Sequence, residues 1–157
     1  NTLGKKFIGF SGAMQMNYKR VASRGELHKA NADYMGSGVV EEGIILHTWK
    51  AETAASGNTE GADSQDNGAS SAAGGSGYLE ISALTLGGYT SVTIKIRHSS
   101  DDVTYADLIT FANIIAAPGK ERLTVAGTVN QHLAHSWLFN GAGTGQTVTY
   151  LVGFFRN

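Results

Sequence analysis

Ser91-Val92-Thr93-Ile94-Lys95-Ile96-Arg97-His98 alternates without a break. Val92, Ile94 and Ile96 take one side, and Thr93, Lys95 and Arg97 take the other. Side chains of an extended chain point to opposite faces in turn, so this stretch predicts a strand with one apolar face and one wet face. The same rhythm recurs downstream. Val129–Phe139 places Leu133, His135, Trp137 and Phe139 on one face, and Gln146–Arg156 aligns Val148, Tyr150, Val152 and Phe154. Tyr78–Leu86, Thr104–Phe111 and Glu121–Ala126 read as further strands. Gly87-Gly88, Ser99-Ser100-Asp101-Asp102, Pro118-Gly119 and Gly141–Gly145 punctuate them as turns. Closely spaced strands with turn signals between them predict a small β-sandwich or jelly roll over residues 78–157.

Upstream the pattern changes. Lys6–Val21 predicts one long strand carrying Ile8, Phe10, Met14, Met16 and Tyr18 on one face. Ser23-Arg24-Gly25 reads as a hairpin turn, Glu26–Met35 as the return strand with Tyr34, and Val39–Trp49 as a third strand. Three strands bury too little surface to stand alone. Residues 1–50 are therefore expected to be an incomplete assembly domain whose missing core comes from absent chain or from neighbouring subunits. Long paired edges invite strand addition. Phe10, Met14, Met16, Tyr18 and Tyr34 are the candidate subunit contacts. Between the halves, 18 of the 27 residues of Ala51–Gly77 are Ala, Gly or Ser, which reads as a flexible linker over 51–77. The expected class is all-β throughout: a long-stranded partial sheet followed by a small sandwich.

Composition narrows the function. The 157 residues are 41% hydrophobic, enough for a packed core, and only 16% charged, against about 25% in ordinary soluble domains. Twelve basic and 13 acidic residues leave a net charge of −1, which is not the basic footprint of a nucleic-acid reader. Without cysteine there are no disulfides or thiolate metal sites. No apolar run approaches the roughly 20 residues that span a bilayer, so no membrane association is expected. The first residue is Asn, not Met, which suggests a processed, tagged or truncated product.

No motif points to catalysis. Gly141-Ala142-Gly143-Thr144-Gly145 lacks the Lys-Ser/Thr ending of a phosphate loop and lies between strands. His132 and His135, three apart on one strand, face opposite sides and cannot chelate together, and His28, His47 and His98 lie on separate strands. Asp101, Asp102 and Asp107 lack the EF-hand spacing. Neither a metal nor a cofactor is expected, and the chain is not read as an enzyme. Exposed rings can stack on sugars, which makes Tyr89 and Tyr105 candidate binding residues. Trp137, in phase with Leu133 and Phe139, is read as core.

Val92–Leu108, then Arg122-Leu123-Thr124-Val125-Ala126-Gly127-Thr128-Val129-Asn130, Trp137 and Val152-Gly153-Phe154 together resemble an Ig-like or jelly-roll add-on domain of major tail (tail tube) proteins of long-tailed bacteriophages. Tyr105 stands where that family often has Trp, and Gln131-His132 where it often has Arg-Tyr. Gly43-Ile44-Ile45-Leu46-His47 is similar to the junction between tube domain and add-on domain, and Tyr18–Met35 to the tube domain's last strands. The resemblance implies a structural virion protein, made in the host cytoplasm. Hexameric rings would stack into a tube that conducts DNA without binding it specifically, in contact with other tail proteins, with the C-terminal domain displayed toward a host-surface glycan. A capsid decoration (cement) protein and a carbohydrate-binding module are the alternatives.

Overall fold

A computed structural model of the chain describes the backbone of residues 3–10, 13–21, 29–36 and 40–157, and the side chains of 3–6 and 42–157. The strands are β1 (Lys6–Phe10), β2 (Ala13–Val21), β3 (Lys29–Gly36), β4 (Val40–Glu52), β5 (Ser56–Asn58), β6 (Gln65–Asp66), β7 (Gly75–Thr85), β8 (Ser91–Ser99), β9 (Ala106–Thr110), β10 (Gly119–Val125), β11 (His132–Asn140) and β12 (Thr147–Arg156). One 3-10 turn covers Gly61–Asp63. The fold is all-β.

Two compact units divide the chain. The larger comprises Asn1–Phe7 and Gly43–Asn157, the smaller Ile8–Glu42. The larger unit packs two antiparallel sheets, ordered β1-β4-β12-β7-β10 and β5-β11-β8-β9, with β6 also paired to β11. The inward side chains of the alternating stretches meet between them. Val92, Ile94, Ile96, Leu133, Val148, Tyr150, Val152 and Phe154 are all fully buried. Each such side chain contributes about 1.5–3 kcal/mol relative to exposure. On β12 the alternation fails because both faces are covered. Leu151 and Phe155 are buried as well, and the Arg122 guanidinium lies 6.0 Å from the centre of the Phe155 ring.

The third N-terminal strand belongs to this sandwich rather than to a separate domain. Ile45 and Leu46 are core residues, and β4 pairs with β12 from Phe155↔Gly43 to Val148↔Glu52. Nor is 51–77 a linker between domains. Ser56–Asn58 pairs with β11 through Leu138↔Ser56 and Ser136↔Asn58, and Gln65–Asp66 pairs with it further along. Ser71 and Val129 exchange backbone hydrogen bonds of 3.0 and 2.8 Å, and Gly75–Gly77 opens β7. Glu60 forms an ion pair with Arg97 of β8. These residues hold the sandwich edge mainly through their backbone, which is why small side chains suffice.

The smaller unit carries β2 and β3. They pair antiparallel from Ala13↔Gly36 to Val21↔Lys29, with a register shift between Gln15 and Asn17. The expected single strand over Lys6–Val21 is thus two strands, β1 and β2; the predicted turn Ser23–Gly25 lies outside the described residues. Among the described residues, β2 and β3 pair only with each other.

Candidate functional site

Where β4 of one sheet faces β11 of the other, the gap turns from apolar to polar. His47 and Glu52 come from β4, His135 from β11 and Tyr150 from β12. His47 is 4% exposed, while His135 and Tyr150 are fully buried. The two imidazoles meet edge to face with ring centres 4.5 Å apart, and the His47 ring stacks on Tyr150 at 4.1 Å. A cleft of about 250 Å³ opens beside them, with Lys50, Asp63, Thr59 and Trp137 in its walls.

The hydrogen bonds define the protons. His47 Nδ1 lies 3.0 Å from the Tyr150 carbonyl oxygen, and Nε2 lies 3.1 Å from Glu52 Oε1. Both ring nitrogens thus face oxygen acceptors. Lys50 Nζ, 3.0 Å from the same carboxylate oxygen, brings a cation to it.

His135 is held differently. Its backbone N–H donates to Thr59 Oγ1 at 3.1 Å, and Thr59 Oγ1 lies 3.0 Å from its Nδ1. The Thr59 hydroxyl can donate to Nδ1 when the ring proton sits on Nε2. Its Nε2 and the Tyr150 hydroxyl are buried with no hydrogen-bond partner among the described residues. Burial first, and the neighbouring His47 second, push His135 down to about 3, with the Leu46 backbone pulling the other way. Burial, helped by Glu52, raises the Tyr150 phenol well above its ordinary value. Burial thus keeps both the His135 ring and the Tyr150 phenol uncharged inside the β-sandwich.

Trp137 offers no sugar-stacking face. It is 9% exposed, donates from Nε1 to the Ala54 carbonyl at 3.1 Å, and has Gly57 of β5 packed on its ring. A Cβ at position 57 would sit 2.3 Å from the Trp137 ring carbons. Gly57→Val is expected to push β5 off β11 at a cost of about 1–3 kcal/mol, with a red-shifted Trp137 emission in the same sample.

Of the sequence candidates for binding, neither reaches this cleft. Tyr105 is 9% exposed, not a surface ring, and its hydroxyl donates to Asp102 Oδ1. Tyr89 is half-buried rather than exposed. It packs on Phe139 with ring centres 5.5 Å apart. Phe10, Met14, Met16, Tyr18 and Tyr34 lie on β1, β2 and β3, and their side chains fall outside the described residues. The acidic turn is internally satisfied. Asp101 Oδ1 accepts from the Thr104 and Val103 amides at 2.9 and 3.0 Å and from the Ser99 hydroxyl at 2.7 Å. Those bonds, the Thr104 amide foremost, hold the Asp101 carboxyl at about 2. Asp107 pairs with Lys95 and Arg97.

The sequence alone does not bring His47 to His135, because the two residues lie far apart in the chain. The available signal is His135 itself, a polar residue in phase with Leu133, Trp137 and Phe139. Among the described residues no three His, Asp or Glu side chains converge as a metal site would, and no helix is long and apolar enough to cross a membrane. Comparison with protein families, curated proteins and solved structures finds no match to this chain.

Proposed function

We propose that the chain is a structural, non-enzymatic subunit that polymerises with copies of itself. The observation that carries this is the smaller unit. A two-stranded hairpin is marginal in water on its own. Yet β2 and β3, nine and eight residues long, form a compact unit apart from the sandwich and pair only with each other among the described residues. Such a hairpin gains stability when its edges meet strands of another copy, and a repeated contact of this kind closes into a ring.

The sequence resemblance supports the tail tube of a long-tailed bacteriophage as the assembly, with stacked hexameric rings and the sandwich displayed outward. Near-neutral charge suits a lumen through which DNA passes without sticking.

Light scattering of the purified chain over a wide concentration range, with electron microscopy of the same samples, is expected to reveal rings or tubes. Lys19→Pro removes a backbone donor from the middle of β2. It is expected to weaken association at least about tenfold while leaving the Trp137 emission of the sandwich unchanged. A protein that stays monomeric at the highest concentrations overturns the proposal.

A further inference from the structure

We propose that the facing imidazoles of His47 and His135 form an acid-sensitive clasp between the two sheets, which lets go of the β5 edge when both rings carry a proton. The clasp does not depend on polymerisation.

At neutral pH the clasp is complementary. His47 faces two oxygen acceptors, the Tyr150 carbonyl and Glu52. Neutral His135, with its proton on Nε2, accepts a hydrogen bond from the Thr59 hydroxyl at Nδ1. A proton arriving at His135 Nδ1 changes this acceptor into a donor. The Thr59 oxygen must then accept from Nδ1–H as well as from the His135 backbone N–H, so its own hydroxyl proton has to turn away. The new cation also lies one ring contact from His47.

The surrounding charges do not compensate. From β4, Glu52 is already shared by His47 and Lys50, and Lys50 is a cation itself. From β12, Tyr150 presents a neutral phenol. From the 3-10 turn, Asp63 is exposed at the rim of the cleft, where water screens it. Within the fully buried neighbourhood of His135, a second proton therefore has no counter-charge.

What yields is the short edge element next to His135. β5 has three residues and, among the described residues, pairs with β11 alone. Its flanks are held by the hydrogen bonds Phe139 N–H to Ala55 O at 2.8 Å, Thr59 N–H to His135 O at 3.0 Å and Trp137 Nε1–H to Ala54 O at 3.1 Å. Detaching β5 exposes His135 to water, where it can take up its proton, and bares the outer edge of β11.

Amide hydrogen exchange on the full chain tests this, with each rate corrected for the intrinsic effect of pH. From about pH 6.5 downward, protection of the Thr59 and Phe139 amides is expected to fall by up to about tenfold per pH unit, and to lie below that of the β7–β12 amides at every pH, because β5 opens without the rest of the sandwich. His135→Gln is expected to flatten that dependence. Protection at Thr59 and Phe139 that stays constant down to about pH 4, or that equals that of the β7–β12 amides throughout, overturns the clasp. NMR titration of the imidazoles in the unmodified chain gives an independent test should the variant not fold. A His135 ring that titrates near its ordinary value with β5 protection intact also overturns it.

Discussion

Phe154→Ala is expected to lower the unfolding free energy by about 4 kcal/mol, a large share of the roughly 5–15 kcal/mol of a natural domain. Phe154 is fully buried on β12, the strand that joins the two halves of its sheet, and it faces Ile44 on one side and Gly77 on the other. Its ring lies against Gly75, where a Cβ would come within 2.4 Å of Phe154 Cζ. A glycine has no side chain to swing into the space the ring leaves. The same hypothetical Cβ would meet the Phe155 carbonyl oxygen at 2.4 Å, so a larger residue at 75 cannot refill it. The cavity persists, and both the transfer and the cavity contributions are lost. Denaturant unfolding followed by tryptophan emission measures the loss. Phe154→Leu is expected to cost less than half as much. Equal costs for the two variants would mean that the site collapses around the deletion.

Acidification is expected to destabilise the sandwich well before its carboxylates are neutralised. His135 is neutral in the folded chain down to about 3, whereas an unfolded chain protonates it near 6.5. The unfolded state therefore binds the extra proton, and stability declines as pH falls from about 6.5 toward about 3. The slope approaches about 1.4 kcal/mol per pH unit, so a loss on the order of 2–3 kcal/mol accumulates by about pH 4.5. His98, lowered by burial, adds to the same side. Asp101, Asp102 and Asp66 sit below their ordinary 3.8, so their stabilisation is lost only as pH falls from there. Thermal unfolding at a series of pH values separates the two windows. His135→Gln is expected to flatten the upper one and leave the lower one unchanged. An unchanged slope in His135→Gln would mean that another group carries the upper window.

Alternation makes β8, β11 and β12 legible in the sequence, because each carries an unbroken apolar face. Val92, Ile94 and Ile96 are buried as that pattern demands. Residues 51–77 read as a linker because hydropathy measures side chains, whereas β5 and β6 are held by backbone bonds and by polar pairs such as Gln131 with Asp66 at 3.1 Å. Gly57 has the look of linker material; it is small because Trp137 lies against it. Tyr105 reads as exposed because it follows an acidic turn. Asp102 turns back with a φ of 58° and caps the Tyr105 hydroxyl. The cluster of His47, His135 and Tyr150 is the least legible part, since only the pairing of β4 with β12, across the gap from β11, brings His47 to His135.

The position of β12 also fixes an order of events during synthesis. Its two neighbours, β4 and β7, both precede it in the chain and do not pair with each other. Until Thr147–Arg156 has left the ribosome, that sheet exists only as two separate fragments with facing unfilled edges. The nascent chain therefore cannot close its core progressively from the N-terminal side. Closure waits for distant pairings, which are slow to form, and in the meantime the bare edges of β4 and β7 are open to strands of any neighbouring chain.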